Sequence, residues 1–268
     1  MKHPKSILFI LSLILLGLGS PLQSVGAAPK RDFYQLKIYH LQNKEQEQRL
    51  DNYLQQAYVP ALHRAGIGKV GVFKQMASAD ANAPALTEQL VFVFIPCTSA
   101  EQYLKLDTDL EKDKQYQTAA QDYVNTAFDK PVYSRVEGIS MLAFTSMPGF
   151  HLPALKSGPT ERVYELRSYE SASEKIHANK VAQFNNGEIG IFKRLNFNTV
   201  FCGQVVSGSK MPNLMYLSAF ENKAEQEAHW KTFGADPEWA KMKAMPEYAN
   251  NMQHMDVYLL HPTTYSDI

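Results

Sequence analysis

The 268-residue chain has little of what usually marks a protein class at first sight. It contains two cysteines, Cys97 and Cys202, which are too few for a disulfide scaffold or a four-thiolate zinc site. Its 27 basic residues equal its 27 acidic residues, so there is no overall positive charge to attract nucleic acid. Hydrophobic residues still make up 45% of the chain and charged residues 20%, which is the composition of a folded protein of one or two domains.

Motifs with a fixed catalytic spacing are also scarce. The sequence has no G-x-S-x-G, no G-x-x-x-x-G-K-[ST], no H-E-x-x-H and no C-x-x-C. No two of its eight histidines are four residues apart, so a metal site built on one helix face is not expected. These absences disfavour the familiar serine hydrolases, P-loop proteins and zinc proteases, and no metal site or cofactor is predicted.

Residues 1–27 have the features of a cleaved signal peptide. Lys2 and Lys5 precede an apolar stretch over residues 7–18, and small residues follow at positions 25–28. The stretch is shorter than the roughly 20 residues that a membrane span needs. No cysteine lies near the cleavage site, so a lipid anchor is not expected. Cleavage would leave 25 basic and 27 acidic residues, a net charge of −2. We therefore expect a secreted or periplasmic protein with no membrane span after cleavage.

The remaining chain contains two similar segments. Three pairs of short sequences match in the same order at offsets of about 123 to 130 residues, namely Phe33–Tyr39 with Val163–Tyr169, Ala100–Gln102 with Ala224–Gln226, and Asp113–Tyr116 with Asp236–Trp239. The pattern predicts an internal duplication. Cys97 and Cys202 lie at non-equivalent positions of the two copies, and we expect them to be free thiols even in an oxidising compartment.

Hydrophobic periodicity predicts the order β-α-β-β-α-β in each copy. The predicted strands are residues 33–40, 69–74, 90–95 and 135–144 in the first copy, and 162–169, 199–206, 214–220 and 252–261 in the second. Helices are predicted over residues 44–65 and 173–195 and from Ser99 and Lys223, with a further helix capped by Asp236 and Pro237. Pro60 should interrupt the first helix.

This order predicts an α+β protein made of two tandem ferredoxin-like domains. The domains span residues 31–146 and 161–268, and a segment rich in proline and glycine, residues 147–160, links them. Helices cover one face of each four-stranded sheet. The aliphatic positions of the first strand are expected beneath the helices, and the mixed set Gln35, Lys37 and Tyr39 on the open face. The simplest cover for that face is the other sheet, which gives a two-sheet barrel within one chain.

The second copy resembles the NIPSNAP family. Its Tyr164–Tyr169 sequence, Y-E-L-R-S-Y, is similar to the Y-E-L-R-x-Y strand that opens NIPSNAP domains, and Asp236–Trp239 is similar to their D-P-x-W helix start. The first copy looks like a diverged partner domain. The resemblance implies two NIPSNAP-like domains and the dimeric α+β barrel superfamily, which includes cofactor-free monooxygenases and haem-handling enzymes. It carries over no general catalytic mechanism. Family members often have a histidine before the glycine at the end of the first helix, but Leu195-Asn196 and Ala65-Gly66 stand there in this chain.

Eight residues are candidates for a ligand site. The acidic and basic pair Glu165 and Arg167, with Gln35 and Lys37 at the matching positions, could orient a polar ligand or tune a proton-transfer group if they project into the barrel. The alternative is a charged network that fixes the register of the two sheets. The other candidates are Tyr39, Tyr169, His229 and Trp239, each of which has a structural alternative as a core or helix-surface residue.

The sequence therefore favours an exported protein that binds a small, partly apolar or amphipathic molecule in the barrel or under the helices. One alternative is a cofactor-independent oxygenase or isomerase that uses proton transfer near Glu165 and Arg167. Another is a protein–protein assembly module, for which a homo-oligomer is one form. All three rest on analogy with a fold, and fold alone does not establish function.

Overall fold

The computed structural model describes residues 30–77 and 88–268. The predicted signal peptide, residues 1–27, lies outside the described residues. Among the helices of the described ranges, none combines the length and the apolar character needed to cross a membrane.

Eight antiparallel strands form the centre of the protein. They are β1 (Phe33–Leu41), β2 (Gly71–Gln75), β3 (Gln89–Cys97), β4 (Arg135–Ala143), β5 (Val163–Glu170), β6 (Asn198–Ser207), β7 (Asn213–Phe220) and β8 (His254–Pro262). All eight overlap the predicted strands, with ends that differ by about two residues. The long apolar or alternating runs were therefore sufficient to locate them.

Helices connect the strands on the outside. They are α1 (Lys44–Tyr53), α2 (Val59–Arg64), α3 (Ala100–Lys112), α4 (Lys114–Ala119), α5 (Gln121–Val124), α6 (Glu174–Gln183), α7 (Ile189–Arg194), α8 (Lys223–Gly234) and α9 (Pro237–Lys243). The caps at Ser99 and Asp236 are confirmed, because each side chain accepts backbone N–H bonds in the first turn of its helix.

One turn of π-helix separates α1 from α2 and another separates α6 from α7. They span Leu54–Tyr58 and Phe184–Glu188. The first lies just before Pro60, as expected for a residue that cannot donate a backbone hydrogen bond. The second contains no proline, so the interruption is not caused by proline alone. A wider turn changes which side chains face the sheet.

The strands close into a barrel with the order β1-β3-β2-β8-β5-β7-β6-β4. The strands of the first half lie in the order β4-β1-β3-β2, and those of the second half in the order β8-β5-β7-β6. The halves join where β2 pairs with β8 and where β4 pairs with β6. Closure leaves no strand edge unpaired in this sheet. The prediction of an α+β protein with a barrel built within one chain is confirmed.

The barrel interior is filled with large apolar side chains from all eight strands. Tyr34, Leu36 and Ile38 of β1 point inward, and Phe94 of β3 stacks on Phe201 of β6 with ring centroids 4.4 Å apart. A cavity of about 40 Å³ lies near one end, between His40 and Asn213 among others. It has room for water but not for a drug-sized ligand, which needs roughly 300 Å³ or more.

The predicted orientation of the first strands was wrong. Tyr34, Leu36 and Ile38 face the barrel interior, whereas Tyr39 packs in the cluster beneath the helices of its half. A closed barrel excludes water on all sides, so its interior takes the apolar set. The layer between sheet and helices has open ends, where long charged side chains can keep their heads near water.

Cys97 and Cys202 are free, as predicted. Both are buried, and they lie in different clusters on the helix side of the sheet. Burial raises the pKa of the Cys97 thiol to about 12, which leaves it protonated and unreactive at neutral pH.

Because Phe201 is fully buried and stacked, replacing it with alanine should remove packing that the barrel cannot recover by collapse. We expect Phe201→Ala to lower the free energy of unfolding by about 3–5 kcal/mol, measured by urea denaturation followed by circular dichroism. The exposed Phe128 provides the control, since Phe128→Ala should change stability by less than about 0.5 kcal/mol. Equal effects of the two substitutions would contradict a solid barrel.

Candidate ligand-binding site

The predicted residues of β1 and β5 do not meet. Gln35, Lys37 and Tyr39 lie on β1, and Glu165 and Arg167 lie on β5, which is four places away around an eight-strand barrel. Both sets face outward, beneath the helices of their own half. They therefore do not project into the barrel, which was the condition for a ligand site there. Each half has its own polar layer between sheet and helices, and the two layers differ.

In the second half, Glu165 is the centre of the polar layer. Its side chain is only 1% exposed. One carboxylate oxygen, Oε2, accepts hydrogen bonds of 2.6 Å from Gln226 Nε2 and from Trp230 Nε1, and the other, Oε1, accepts one from Arg167 Nε. Three donors compensate for taking the charge out of water. Because Gln226 and Trp230 belong to α8, Glu165 attaches this helix to the sheet.

Arg167 links the buried carboxylate to the surface. The centre of its guanidinium group lies 3.6 Å from the centroid of the Trp230 ring, a stacked cation–π contact. Its Nη1 lies 3.3 Å from the hydroxyl of Tyr169 and 3.8 Å from the sulfur of Met255. The side chain is 17% exposed, and its Nη2 donates to no residue that the structure describes. Arg167 thus has one donor group directed away from its protein partners.

The two exposed apolar residues next to Arg167 belong to β8. Val257 pairs with Arg167 across the sheet, and Met255 pairs with Tyr169, so their side chains lie on the same outer face. Their exposed fractions are 42% for Val257 and 45% for Met255. We call the surface formed by Arg167, Trp230, Met255 and Val257 the Arg167 edge.

Two tyrosine hydroxyls continue the network inward from Arg167. The oxygens of Tyr169 and Tyr216 are 2.7 Å apart. Burial raises the pKa of both phenols, so both remain protonated at neutral pH. The Tyr169 hydroxyl accepts a hydrogen bond from Arg167 Nη1, and neither phenol is a ready base.

A second buried ion pair lies on the helix that covers β5. Lys180 Nζ contacts Glu188 Oε2 at 3.2 Å and Gln183 Oε1 at 2.8 Å, and it lies 4.9 Å from the centroid of the Phe184 ring. The π-helical turn between α6 and α7 ends at Glu188, eight residues after Lys180, where both side chains face inward. The cost of desolvating the Glu188 carboxylate outweighs the attraction of Lys180 and Arg167, and its pKa is raised.

Among the described residues, the first half has no buried acid in the equivalent layer, and its acids Glu47 and Asp51 of α1 are partly exposed and pair with Lys74 of β2. Gln35 Nε2 lies 3.4 Å from the hydroxyl of Tyr103, and Lys37 Nζ lies 4.9 Å from the centroid of the Tyr58 ring. Tyr39 is buried beside Tyr123, whose hydroxyl is 3.5 Å away. This layer is mainly aromatic, so it can pack helices on the sheet but offers no buried carboxylate.

His229 and Trp239 lie in different environments, and only Trp239 borders the polar layer. The imidazole of His229 lies between the rings of Phe197 and Phe220, and its Nδ1 is 2.8 Å from the carbonyl of Glu225. It therefore faces away from the Glu165 network. Trp239 packs on Phe233 with centroids 4.6 Å apart, and its ring lies 5.9 Å from Lys180 Nζ, so it does border the polar layer.

Sequence reasoning missed Lys180, Gln183, Glu188 and Tyr216. Lys180 and Glu188 are not found by a search for pairs at i, i+4 spacing, because the π-helical turn between them changes the spacing.

Sequence reasoning also missed the spacing G-x-G-x-x-G at residues 66–71. In the structure this segment leads from α2 into β2, whereas a dinucleotide-binding loop leads from a strand into a helix. Within residues 30–77 and 88–268, no group of three or more histidine, cysteine or acidic side chains could hold a metal ion.

The raised pKa of Glu188 predicts a pH effect on stability. The folded state holds this proton more tightly than the unfolded state, whose pKa is close to the ordinary 4.5. The contribution of Glu188 is therefore fully present below pH 4.5 and is lost as the pH rises through the folded pKa. Glu188→Gln removes this loss, so the variant should gain stability relative to the wild type between pH 4.5 and 7. Urea denaturation at several pH values tests this, and a difference that stays constant would contradict it.

Three solved structures have the same fold. A candidate monooxygenase from Fusobacterium nucleatum superposes with a TM-score of 0.56 at 6% identity, over 87% of this chain and 92% of its own. A candidate monooxygenase from Lactobacillus acidophilus gives 0.52 at 10% identity, over 89% of this chain and 98% of its own. An anthrone oxidase-like protein also gives 0.52 at 10% identity, over 88% and 93%. A search of curated proteins found no match.

The family comparison concerns the half of the chain that contains the Glu165 network. Residues 164–267 match the NIPSNAP family model. The match begins on β5, one residue before Glu165, and extends beyond the end of β8. It includes Arg167, Lys180, Glu188 and Trp230. The second half of this protein is therefore similar to NIPSNAP domains.

Proposed function

We propose that this protein binds a small, partly apolar molecule at the Arg167 edge, beneath the helices of its second half. The observation that carries the proposal is the state of Arg167. Its Nε and Nη1 are fixed by Glu165 and Tyr169, its plane is stacked on Trp230, and its Nη2 remains available. A donor that is held rigidly costs little entropy when it binds an acceptor.

The chemistry of the edge indicates the class of ligand. Arg167 is a planar donor suited to a carbonyl or enolate oxygen. Met255 and Val257 offer an apolar surface beside it, and the Trp230 ring adds an aromatic one. A flat apolar molecule with one accepting oxygen fits this combination. The filled barrel leaves no comparable space inside.

The alternative function is a cofactor-independent oxygenase at the same place. It is favoured by the position of the Tyr169–Tyr216 hydroxyl pair next to Arg167, because the hydroxyl pair and the guanidinium group could together stabilise a developing enolate oxygen. Glu165 is a poor base for this reaction, because both its oxygens already accept hydrogen bonds. The three structural neighbours named as monooxygenase or oxidase relatives support this alternative only through their fold.

Two further properties belong to the proposal. The same sheet order in both halves supports two tandem ferredoxin-like domains, of which the first is the diverged NIPSNAP-like copy. The basic, apolar and small-residue segments at the start of the sequence support export through a cleaved signal peptide. Assembly through an exposed surface is the remaining possibility, and native mass spectrometry would detect it together with any ligand retained from the cell.

The two tryptophans give a local assay for binding. Trp230 and Trp239 are the only tryptophans in the sequence, and both border the polar layer. We expect anthrone, a flat tricyclic ketone, to quench their fluorescence in a saturable way. Arg167→Lys should weaken this binding at least about tenfold, because an ammonium group neither stacks on Trp230 nor presents the same planar donors.

Lys37→Gln is the matched control. Lys37 occupies the position of Arg167 on the other half and should not affect the titration. Equal affinity of the wild type and Arg167→Lys would contradict the proposed site.

An oxygen electrode separates the two functions, since an oxygenase would convert anthrone and O₂ into anthraquinone and water. If anthrone binds but oxygen is taken up no faster than in buffer alone, the binding function stands and oxidation of anthrone by this protein is excluded.

A further inference from the structure

An open groove of about 580 Å³ lies beside helix α7 of the second half. Its walls are the segment that connects the two halves, helix α7 and the start of β6. Met147, Ile189 and Phe197 give it an apolar floor, and His151 and Lys193 stand on its rim. No acidic residue lines it, and its volume lies in the range of small-molecule sites. We call it the Lys193 groove.

Two polar side chains of the groove, Lys193 and Thr199, lack partners among the described residues. The neighbouring Arg194 is paired with Asp236 and Glu238, whereas Lys193 forms no ion pair with any described residue. The hydroxyl of Thr199, which also lines the groove, is buried without a hydrogen-bond partner in the described part of the chain. The buried Thr199 hydroxyl leaves a hydrogen bond unmade, and the exposed Lys193 ammonium can bind an anionic acceptor from solution.

The first half of the barrel contains the same arrangement, but there a side chain of the protein itself occupies the site. The N–H of Asp267 donates to the Val70 carbonyl at 2.9 Å, and the N–H of His151 donates to the Val200 carbonyl at 2.8 Å. The end of the chain therefore runs beside β2 as the connecting segment runs beside β6. His63 lies in the last turn of α2, as Lys193 does in α7.

In that first half a carboxylate is bound. The Asp267 side chain contacts His63 Nε2 at 2.7 Å and accepts a 2.8 Å hydrogen bond from the Val70 N–H. In the second half, His151 stands where Asp267 would be and Lys193 stands where His63 would be. The acid has been replaced by a histidine and the basic position has been kept, so the second site has a cation without its carboxylate.

We propose that the Lys193 groove binds a small amphipathic carboxylate from solution. Its carboxylate group takes the place that the Asp267 side chain fills in the first half, and contacts Lys193. Its apolar part lies on Met147, Ile189 and Phe197. This site shares no residue with the Arg167 edge, although its Phe197 ring contacts the Trp230 ring with centroids 5.0 Å apart, and its walls include both the connecting segment and α7.

The test uses sodium octanoate as the probe and isothermal titration calorimetry on the full mature chain. The wild type should bind octanoate saturably, and at least about tenfold more tightly than octan-1-ol or octylammonium, which have the same chain without the negative charge. Lys193→Gln should weaken octanoate binding at least about tenfold. Lys241→Gln, on the exposed face of α9, is the matched control and should leave it unchanged.

His151→Asp is the second variant. It restores the carboxylate of the first half next to Lys193, so it should fill the site from within and also weaken octanoate binding at least tenfold. Far-UV circular dichroism checks that each variant is folded. Unchanged affinity in either Lys193→Gln or His151→Asp would overturn the proposal, as would the absence of saturable octanoate binding to the wild type. If only Arg167→Lys abolished binding, octanoate would lie at the Arg167 edge, and the Lys193 proposal would be wrong while the proposed function stood.

Discussion

Closure of the eight-strand barrel is the constraint on which the rest of this structure depends. The strands of the two halves pair along two short seams, between β2 and β8 and between β4 and β6. These seams remove the free edges of both four-stranded sheets and enclose one interior that neither half could exclude from water alone. A sealed interior favours apolar side chains such as Tyr34, Leu36 and Phe94 and disfavours charged groups. The polar side chains that face inward, among them His40 and Glu137, lie at one end of the barrel, and the Glu165 network lies on the outer face of the sheet.

The outer face of the second half is where buried charge is concentrated. Glu165 is compensated by donors from β5 and α8, and Glu188 by Lys180 on the adjoining helix. Buried pairs of this kind rarely add much stability, because desolvation of both charges offsets their attraction. The first half holds its helices mainly with tyrosines and leucines, and its ion pairs of Lys74 with Glu47 and Asp51 are partly exposed. The two halves of one barrel therefore differ in how deeply their charges are buried.

The connecting segment packs on the same half of the barrel. Its backbone is attached to β6 through the Val200 carbonyl, and the N–H groups of Lys156 and Ser157 bond the carboxylate of Glu221. These bonds hold the pKa of Glu221 down to about 2, so the attachment remains ionised at any physiological pH. A segment that reads in sequence as a linker is therefore a fixed wall, and the Lys193 groove is a consequence of its position.

The sequence by itself determined the local structure and much of the topology. Alternation placed all eight strands, Ser99 and Asp236 marked helix starts, and the similarity of Phe33–Tyr39 to Val163–Tyr169 predicted two matching sheets in one barrel. Only the tertiary structure decided which face of each strand lies inside, since an alternating strand presents one apolar and one mixed face whichever way it is turned. It also decided which charges meet, because Glu165 and Trp230 are 65 residues apart and the π-helical turn that ends at Glu188 leaves no mark in the hydrophobic pattern. Periodicity is a property of neighbours along the chain, whereas a site depends on contacts that closure of the barrel creates.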